Sequence, residues 1–257
     1  MKYGIIGVGA IASAIVKGLC EKSEEPPFII LSPRNNAIAT GLASRYPTVH
    51  VGKDNQAVLD DAAVILLCIR PPDAEAVTRE LAFSERHVVL SAMAGIRIAT
   101  LERLVAPSRV IARTIPLPAV ANRNGITAVY PPNSEAKKLF ELLGGTMPVD
   151  DETAFDALSA STATIAAYFA YINSISVWLA SKNIPEGAAF SYVASMFAGL
   201  AETLKGEQGF DRLILDHSTP GGTNEAFLKN LREAGIYDVV ERGLQLIHER
   251  LTSASTD

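Results

Sequence analysis

The first residues of the chain with chemical potential act through backbone. Gly7-Val8-Gly9-Ala10-Ile11-Ala12 is a Gly-x-Gly-x-x-Ala turn between the short apolar run Tyr3–Ile6 and the alanine-rich segment Ser13–Leu19. Strand, glycine turn and helix in that order are what a dinucleotide-binding βαβ unit requires. Gly7 can supply the tight turn, and Gly9 removes the side chain where a pyrophosphate would approach. Ala12 lets the helix pack closely on the strand. The phosphates would then meet the N–H groups of Ala10 and Ile11 at the positive end of the helix. After the next apolar run, Phe28–Leu31, the chain offers Ser32, Arg34 and Asn35. An NAD-preferring fold usually carries Asp or Glu there for the ribose 2′-hydroxyl, whereas a 2′-phosphate wants a cation. Arg34 can bond that phosphate bidentately, so the expected cofactor is NADP. Two further strand ends complete the cofactor residues: Ile69, Arg70 and Pro71, and the small residues Ala92, Ala94 and Gly95, which leave room for a nicotinamide ring.

The elements that must position these residues alternate between strand and helix. Ala63–Ile69 is a continuous apolar run of strand length, as in a central parallel strand covered on both faces, and Pro71 turns the chain out of the sheet. Strands are also expected at Val49–Val51, His87–Ser91 and Arg109–Arg113, and the sheet is expected to end with Gly125–Tyr130. Residues 1–151 therefore read as a doubly wound Rossmann domain in an α/β protein.

From about Asp151 the grammar becomes helical, and residues 152–257 read as an all-α domain. Asp150-Asp151-Glu152 reads as a solvated interdomain turn. Ala157–Ser181 contains no charge, yet Ser159, Thr162, Thr164, Asn173 and Ser176 make it too polar for lipid. A helix apolar nearly all round is expected in a bundle or subunit interface, which predicts a dimer. Pro185 should open the next helix from within its first turn, continuing to about Gly206. Ser218–Asn224 is a glycine-bearing turn running into a helix near Glu225. A last helix over about 237–251 should leave a fraying tail, 252–257.

Composition bounds the partners. The 257 residues carry a net charge of -5 with no Lys/Arg cluster, which argues against a nucleic-acid surface. Cys20 and Cys68 lack Cys-x-x-Cys spacing and read as reduced structural thiols, and no basic leader precedes the first strand. The expected location is the cytoplasm. His50, His87, His217 and His248 are scattered without metal-ligand spacing, so no metal is expected.

Over nearly its whole length the sequence resembles the pyrroline-5-carboxylate reductases. The resemblance rests on Gly7–Ala12, Ile69-Arg70-Pro71, Ser91–Ile96, Pro116 with Gly125–Ala128, Asp156-Ala157 with Tyr168, and most specifically Pro220-Gly221-Gly222-Thr223. It implies an NAD(P)H-dependent cyclic-imine reductase with a helical dimerisation domain that completes the partner's active site. Three departures cluster on substrate-holding motifs. The family's Met-Pro-Asn-Thr-Pro is Ile115-Pro116-Leu117-Pro118-Ala119 here. Its Ser-Gly-Ser-Gly-Pro-Ala-Tyr is Thr162–Tyr168, which reads as plain helix. The second threonine of Pro-Gly-Gly-Thr-Thr, whose hydroxyl the family places near the imine nitrogen, is Asn224. Asn224 or Thr223 could bond that nitrogen, while Thr162, Thr164 and the N–H groups near Gly221 and Gly222 could hold a carboxylate. His217 is a lesser candidate proton donor. The substrate is then a cyclic imine, pyrroline-5-carboxylate or a related compound, with changed specificity. A hydroxyacid-type dehydrogenase would want a lysine on the long uncharged helix, which has none. A catalytically silent NADP-binding sensor or assembly protein is the alternative from another class.

Overall fold

The structure, a computed structural model, describes residues 2–21, 23–204, 206 and 209–253. By internal contacts it divides into two units, one reaching Ser159 and taking in the chain from His248 onward, the other spanning Ala160–Ile247.

In the first unit, β1 (Lys2–Ile6), α1 (Ala10–Cys20), β2 (Phe28–Leu31), α2 (Asn36–Arg45) and β3 (Val49–Val51) form the opening half. They are followed by α3 (Asn55–Asp61), β4 (Val64–Leu67), a 3₁₀ turn at Pro71–Asp73, α4 (Ala74–Thr78), β5 (Val88–Ser91), α5 (Ile98–Leu104) and β6 (Val110–Ile115). The sheet order is β3-β2-β1-β4-β5-β6 and continues with β7 (Thr127–Tyr130) and β8 (Thr146–Pro148), which α6 (Ser134–Glu141) connects. All pairings are parallel except β6 with β7. The sheet thus ends at β8 and not at Gly125–Tyr130. Thr146–Pro148 is too short and too mixed to show strand periodicity, and it is held by pairing with β7.

Strand alternation divides the core between the two sheet faces. Ile5, Leu31 and Leu66 pack with Ile15, Leu19 and Phe140, while Ile6, Ile65 and Leu67 pack with Leu59 and Leu101. The order in which strands are added reverses between the parallel neighbours β1 and β4, so the glycine turn after β1 opens at the carboxyl edge, where doubly wound sheets bind ligands.

Although helical residues begin at 152, α7 (Glu152–Ser161) belongs largely with the sheet, so the compact unit extends past the compositional switch at 151. Phe155 packs on Ala128 and Val149. The guanidinium of Arg113, a fully buried β6 residue, bonds Glu152 at 2.9 Å and Asp156 at 2.7 Å and lies 4.6 Å from the centre of the Phe155 ring. Arg97 joins from outside, 3.2 Å from Glu152. Glu152 is therefore part of a buried ion-pair cluster and not of a solvated turn.

The second unit contains α8 (Thr164–Ala180), α9 (Glu186–Thr203), α10 (Phe210–His217), α11 (Thr223–Glu233) and most of α12 (Ile236–Ser253). The uncharged stretch is not one helix. At Thr162-Ala163 the bonds Ala163 N–H to Ala160 C=O and Ile165 N–H to Thr162 C=O span three residues instead of four, which tightens the chain into a turn. Glu152–Ala180 is still long and apolar enough for a membrane span by length and composition, with a mean hydropathy of 1.3 in its best window. Tyr168 and Tyr171 stack edge-on against Phe197 of α9, but Phe169, Val177 and Trp178 are more than half exposed. Pro185 caps α9 from outside its first turn, and α9 ends at Thr203. Thr252 and Ser253 are helical, Thr252 Oγ1 donating to His248 C=O, and 254–257 lie outside the described residues.

Candidate cofactor and substrate sites

The glycine turn has the backbone that a dinucleotide needs. Gly7 has φ +92°, and a Cβ there would stand 2.6 Å from the Cys68 carbonyl oxygen on β4's exit, so only glycine fits. Gly9, by contrast, is the N-cap of α1 and makes no side-chain capping bond. A Cβ on it would meet nothing within 4 Å. An uncapped helix start beside an open approach leaves both room and N–H donors for an anion, with Ala10 and Ile11 in the first turn. Ala12 is fully buried against the sheet.

The ribose end differs from expectation in one residue. Ser32 is fully buried, and its Oγ accepts the Gly7 N–H at 2.9 Å. It braces the glycine turn from beneath and is not open to a 2′-phosphate. Arg34 and Asn35 are exposed. Arg34 Nη1 lies 3.3 Å from Asp73 Oδ2, which also accepts from Arg70 Nε and Nη2 at 3.2 and 3.1 Å. These bonds gather Arg34, Arg70 and the Pro71–Asp73 turn. Hydrogen bonding from Arg70, reinforced by the charges of Arg70 and Arg34, holds the Asp73 carboxyl below the usual carboxylate range. A cavity of about 670 Å³ opens beside them, lined by Arg34, Lys53, Asn55, Asp73 and Glu80 among others. Ile69 is 7% exposed and its side chain packs in the core, so only its main chain can face a cofactor. Burial pushes the neighbouring Cys68 thiol up to about 12, which makes it an inert core group.

At the nicotinamide end, Ala92 is half-buried and Ala94 exposed, while Met93 points into the core. Gly95 has φ +74°, with Leu251 Cδ2 3.4 Å from where its Cβ would be. Thr114 Oγ1 donates to Ser91 C=O at 3.1 Å and ties the ends of β5 and β6 together.

In the second unit the Pro-Gly-Gly turn delivers Thr223 and Asn224 as the first two residues of α11. Asn224 Nδ2 donates to the His217 C=O at 3.0 Å, and the His217 ring bonds Leu213 C=O through Nδ1 at 2.8 Å. Asn224 and His217 line an open groove of about 1140 Å³ with Tyr171, Trp178, Met196 and Phe227. The other assignments fare differently. Gly221 N–H donates to Glu225 Oε2 and Gly222 N–H to Thr219 C=O, both at 2.8 Å, so neither is open to a substrate carboxylate. The Thr164 hydroxyl donates to Ser161 C=O at 2.7 Å, the local back-bonding that helical threonines favour. Thr162 is half-buried in the turn between α7 and α8.

Two family models match the chain, one described as "NADP oxidoreductase coenzyme F420-dependent" over residues 2–95 and one as "Pyrroline-5-carboxylate reductase dimerisation" over residues 152–253. Pyrroline-5-carboxylate reductase of Corynebacterium melassecola is 26% identical over 96% of this chain and 96% of its own length, and that of Aquifex aeolicus is 27% identical over 93% and 92%. The solved pyrroline-5-carboxylate reductase of Streptococcus pyogenes superposes with a TM-score of 0.83 at 26% identity, covering 98% of each chain. The two models and the likeness over nearly the full length support the pyrroline-5-carboxylate reductase family. The fold extends further, to a reductive aminase of Aspergillus terreus with a TM-score of 0.60 at 15% identity.

Two residues here make contacts that the sequence motifs do not reveal. Asp73 binds an arginine 39 positions away, although its other partner, Arg70, sits at a readable i,i+3 spacing. Glu225 lies immediately after the Pro-Gly-Gly turn, where the sequence signals only the start of a helix.

Proposed function

We propose that this protein is an NADPH-dependent reductase of a cyclic imine, acting as a homodimer. The carrying observation is the cradle of Gly7 and Gly9 at the uncapped start of α1, in a chain that matches pyrroline-5-carboxylate reductases along nearly its full length. Bound NADPH supplies the hydride that, with a proton on nitrogen, turns C=N into an amine. The chain's own residues bind and orient. The α1 N-terminus holds the pyrophosphate, Arg34 takes the 2′-phosphate, and Ala92, Ala94 and Gly95 leave space for the ring. Asn224, its NH₂ committed to His217, presents Oδ1 as an acceptor to a protonated imine nitrogen, with Thr223 beside it. Dimerisation is supported by the apolar side chains that α8 and α9 leave exposed within one chain. The polar residues of the uncharged stretch, and its break at Thr162-Ala163, favour a protein partner over lipid. Free Cys20 and Cys68 fit a reducing cytoplasm, and the net charge of -5 fits a protein that does not bind nucleic acid.

The test is NADPH consumption against a panel of cyclic imines. Turnover of at least one is expected, with Asn224→Ala lowering kcat by roughly tenfold, the loss of one transition-state hydrogen bond of ~1.4 kcal/mol. Tight NADPH binding with no turnover on any imine would instead indicate a silent NADP-binding protein.

A further inference from the structure

In the reading above, the main-chain N–H groups of the Pro-Gly-Gly-Thr turn are the donors a substrate carboxylate would use, and in this chain a carboxylate of its own already takes one of them. Gly221, at φ +73°, donates its N–H to Glu225 Oε2 at 2.8 Å, and Gly222 donates to Thr219 C=O at the same distance. Glu225 stands in the first turn of α11, where the positive end of the helix favours an anion. The contact is a variant of the capping box, a glutamate reaching back past the N-cap residue to an earlier amide. Its consequence for a ligand is electrostatic. A second carboxylate at this turn would meet a like charge and find a donor already engaged.

The adjoining groove has matching chemistry. Asn224 gives its NH₂ to the His217 carbonyl and so retains Oδ1, an acceptor. Tyr171, Trp178 and Phe227 contribute aromatic rings, and no Lys or Arg stands among the residues described as lining the groove. An acceptor oxygen, a nearby carboxylate and aromatic faces suit a cation.

We propose that the imine reduced here carries no carboxylate on its ring, and that Glu225 fills the place the carboxylate of pyrroline-5-carboxylate would take. The proposal rests on the imine-reductase reading above. The substrate class is a protonated cyclic imine with hydrogen or an apolar substituent beside the nitrogen.

The experiment compares 1-pyrroline with pyrroline-5-carboxylate by kcat/KM under NADPH, in the wild type and in Glu225→Gln, which keeps an acceptor for Gly221 and removes the charge. The wild type is expected to prefer 1-pyrroline by about tenfold or more. Glu225→Gln should raise the pyrroline-5-carboxylate to 1-pyrroline ratio by about tenfold, mostly through KM for the carboxylated imine. Calorimetric titration of the NADPH-loaded wild type with pyrrolidine and with proline reads the same selection without turnover, and pyrrolidine should bind more tightly. A wild type that prefers pyrroline-5-carboxylate, proline binding at least as well as pyrrolidine, or an unchanged ratio in Glu225→Gln would each overturn the proposal. Turnover of no imine, with pyrrolidine still preferred to proline, would remove the reductase reading while supporting selection against the carboxylate.

Discussion

Gly7 and Gly9 are two positions apart and are required for different reasons, which makes them separable by experiment. A Cβ at Gly7 collides with the Cys68 main chain and its φ of +92° disfavours any L side chain, so Gly7→Ala should cost about 2 kcal/mol or more of stability. Gly9→Ala meets no protein atom, and its melting temperature should stay near that of the wild type. Its NADPH affinity should fall by about tenfold or more, because the methyl occupies the pyrophosphate's approach. Thermal melts paired with cofactor titration check both, and a Gly9→Ala protein that binds NADPH normally would remove the cradle from the cofactor site. Beside it, Asp73 competes with a 2′-phosphate for Arg34. Asp73→Asn should therefore raise the NADP-to-NAD affinity ratio by roughly two- to fivefold, the scale of a surface ion pair, while Arg34→Asp should invert the preference. A ratio unmoved by either substitution would make Arg34 a solvated turn residue. The glycine turn was legible in the sequence because its requirement is one of backbone geometry, which residue type reports directly. Ser32 was not, since a serine at a strand end reads the same whether it faces solvent or, as here, lies buried under Gly7.

Between β6 and α7 the stabilising element is ionic. Arg113, Asp156 and Glu152 share a buried cluster in which each charge has a partner within 2.9 Å. Removing one charge leaves the cluster with an excess of the opposite sign in a poorly solvated site, so Asp156→Asn should destabilise the first unit by roughly 3 kcal/mol. Added salt should do little to the wild-type pairs, which are shielded from solvent ions. Denaturant unfolding of the two proteins at low and high salt measures both effects, and a loss below about 0.5 kcal/mol would mean that the cluster is solvated. The helical onset near Asp151 was legible from the change in periodicity, but the allegiance of α7 was not. A run of three acidic residues looks like a solvated turn until Arg113, a strand residue 39 positions before Glu152, is placed above it. The break at Thr162-Ala163 was hidden for a related reason: alanine and threonine have no strong stop signal, and the turn is made by hydrogen bonds that shorten by one residue.

At the scale of the molecule, the two units pose one question, which is what covers the apolar faces of α8 and α9. Phe169 and Val177 on one helix, and Phe190 and Tyr192 on the other, are between 58% and 67% exposed within one chain. Apolar exposure that contiguous marks a surface buried in an assembly. The sequence announced this through an uncharged stretch with scattered hydroxyls and amides, but it could not say whether the covering helices come from the same chain. Val177→Lys places a charge on that face at a site exposed within the single chain, so the folded unit should tolerate it while the subunit contact does not. The expected product is a monomer at micromolar concentration with unchanged helical circular dichroism. NADPH affinity should be retained, since the glycine turn and Arg34 lie in the first unit. Imine turnover should be lost, because the dimer completes the substrate site in the proposed reading. Sedimentation, cofactor titration and the imine assay on one preparation separate the outcomes. An unchanged dimer would remove Val177 from the interface, and a fully active monomer would show that one chain supplies the whole reaction site.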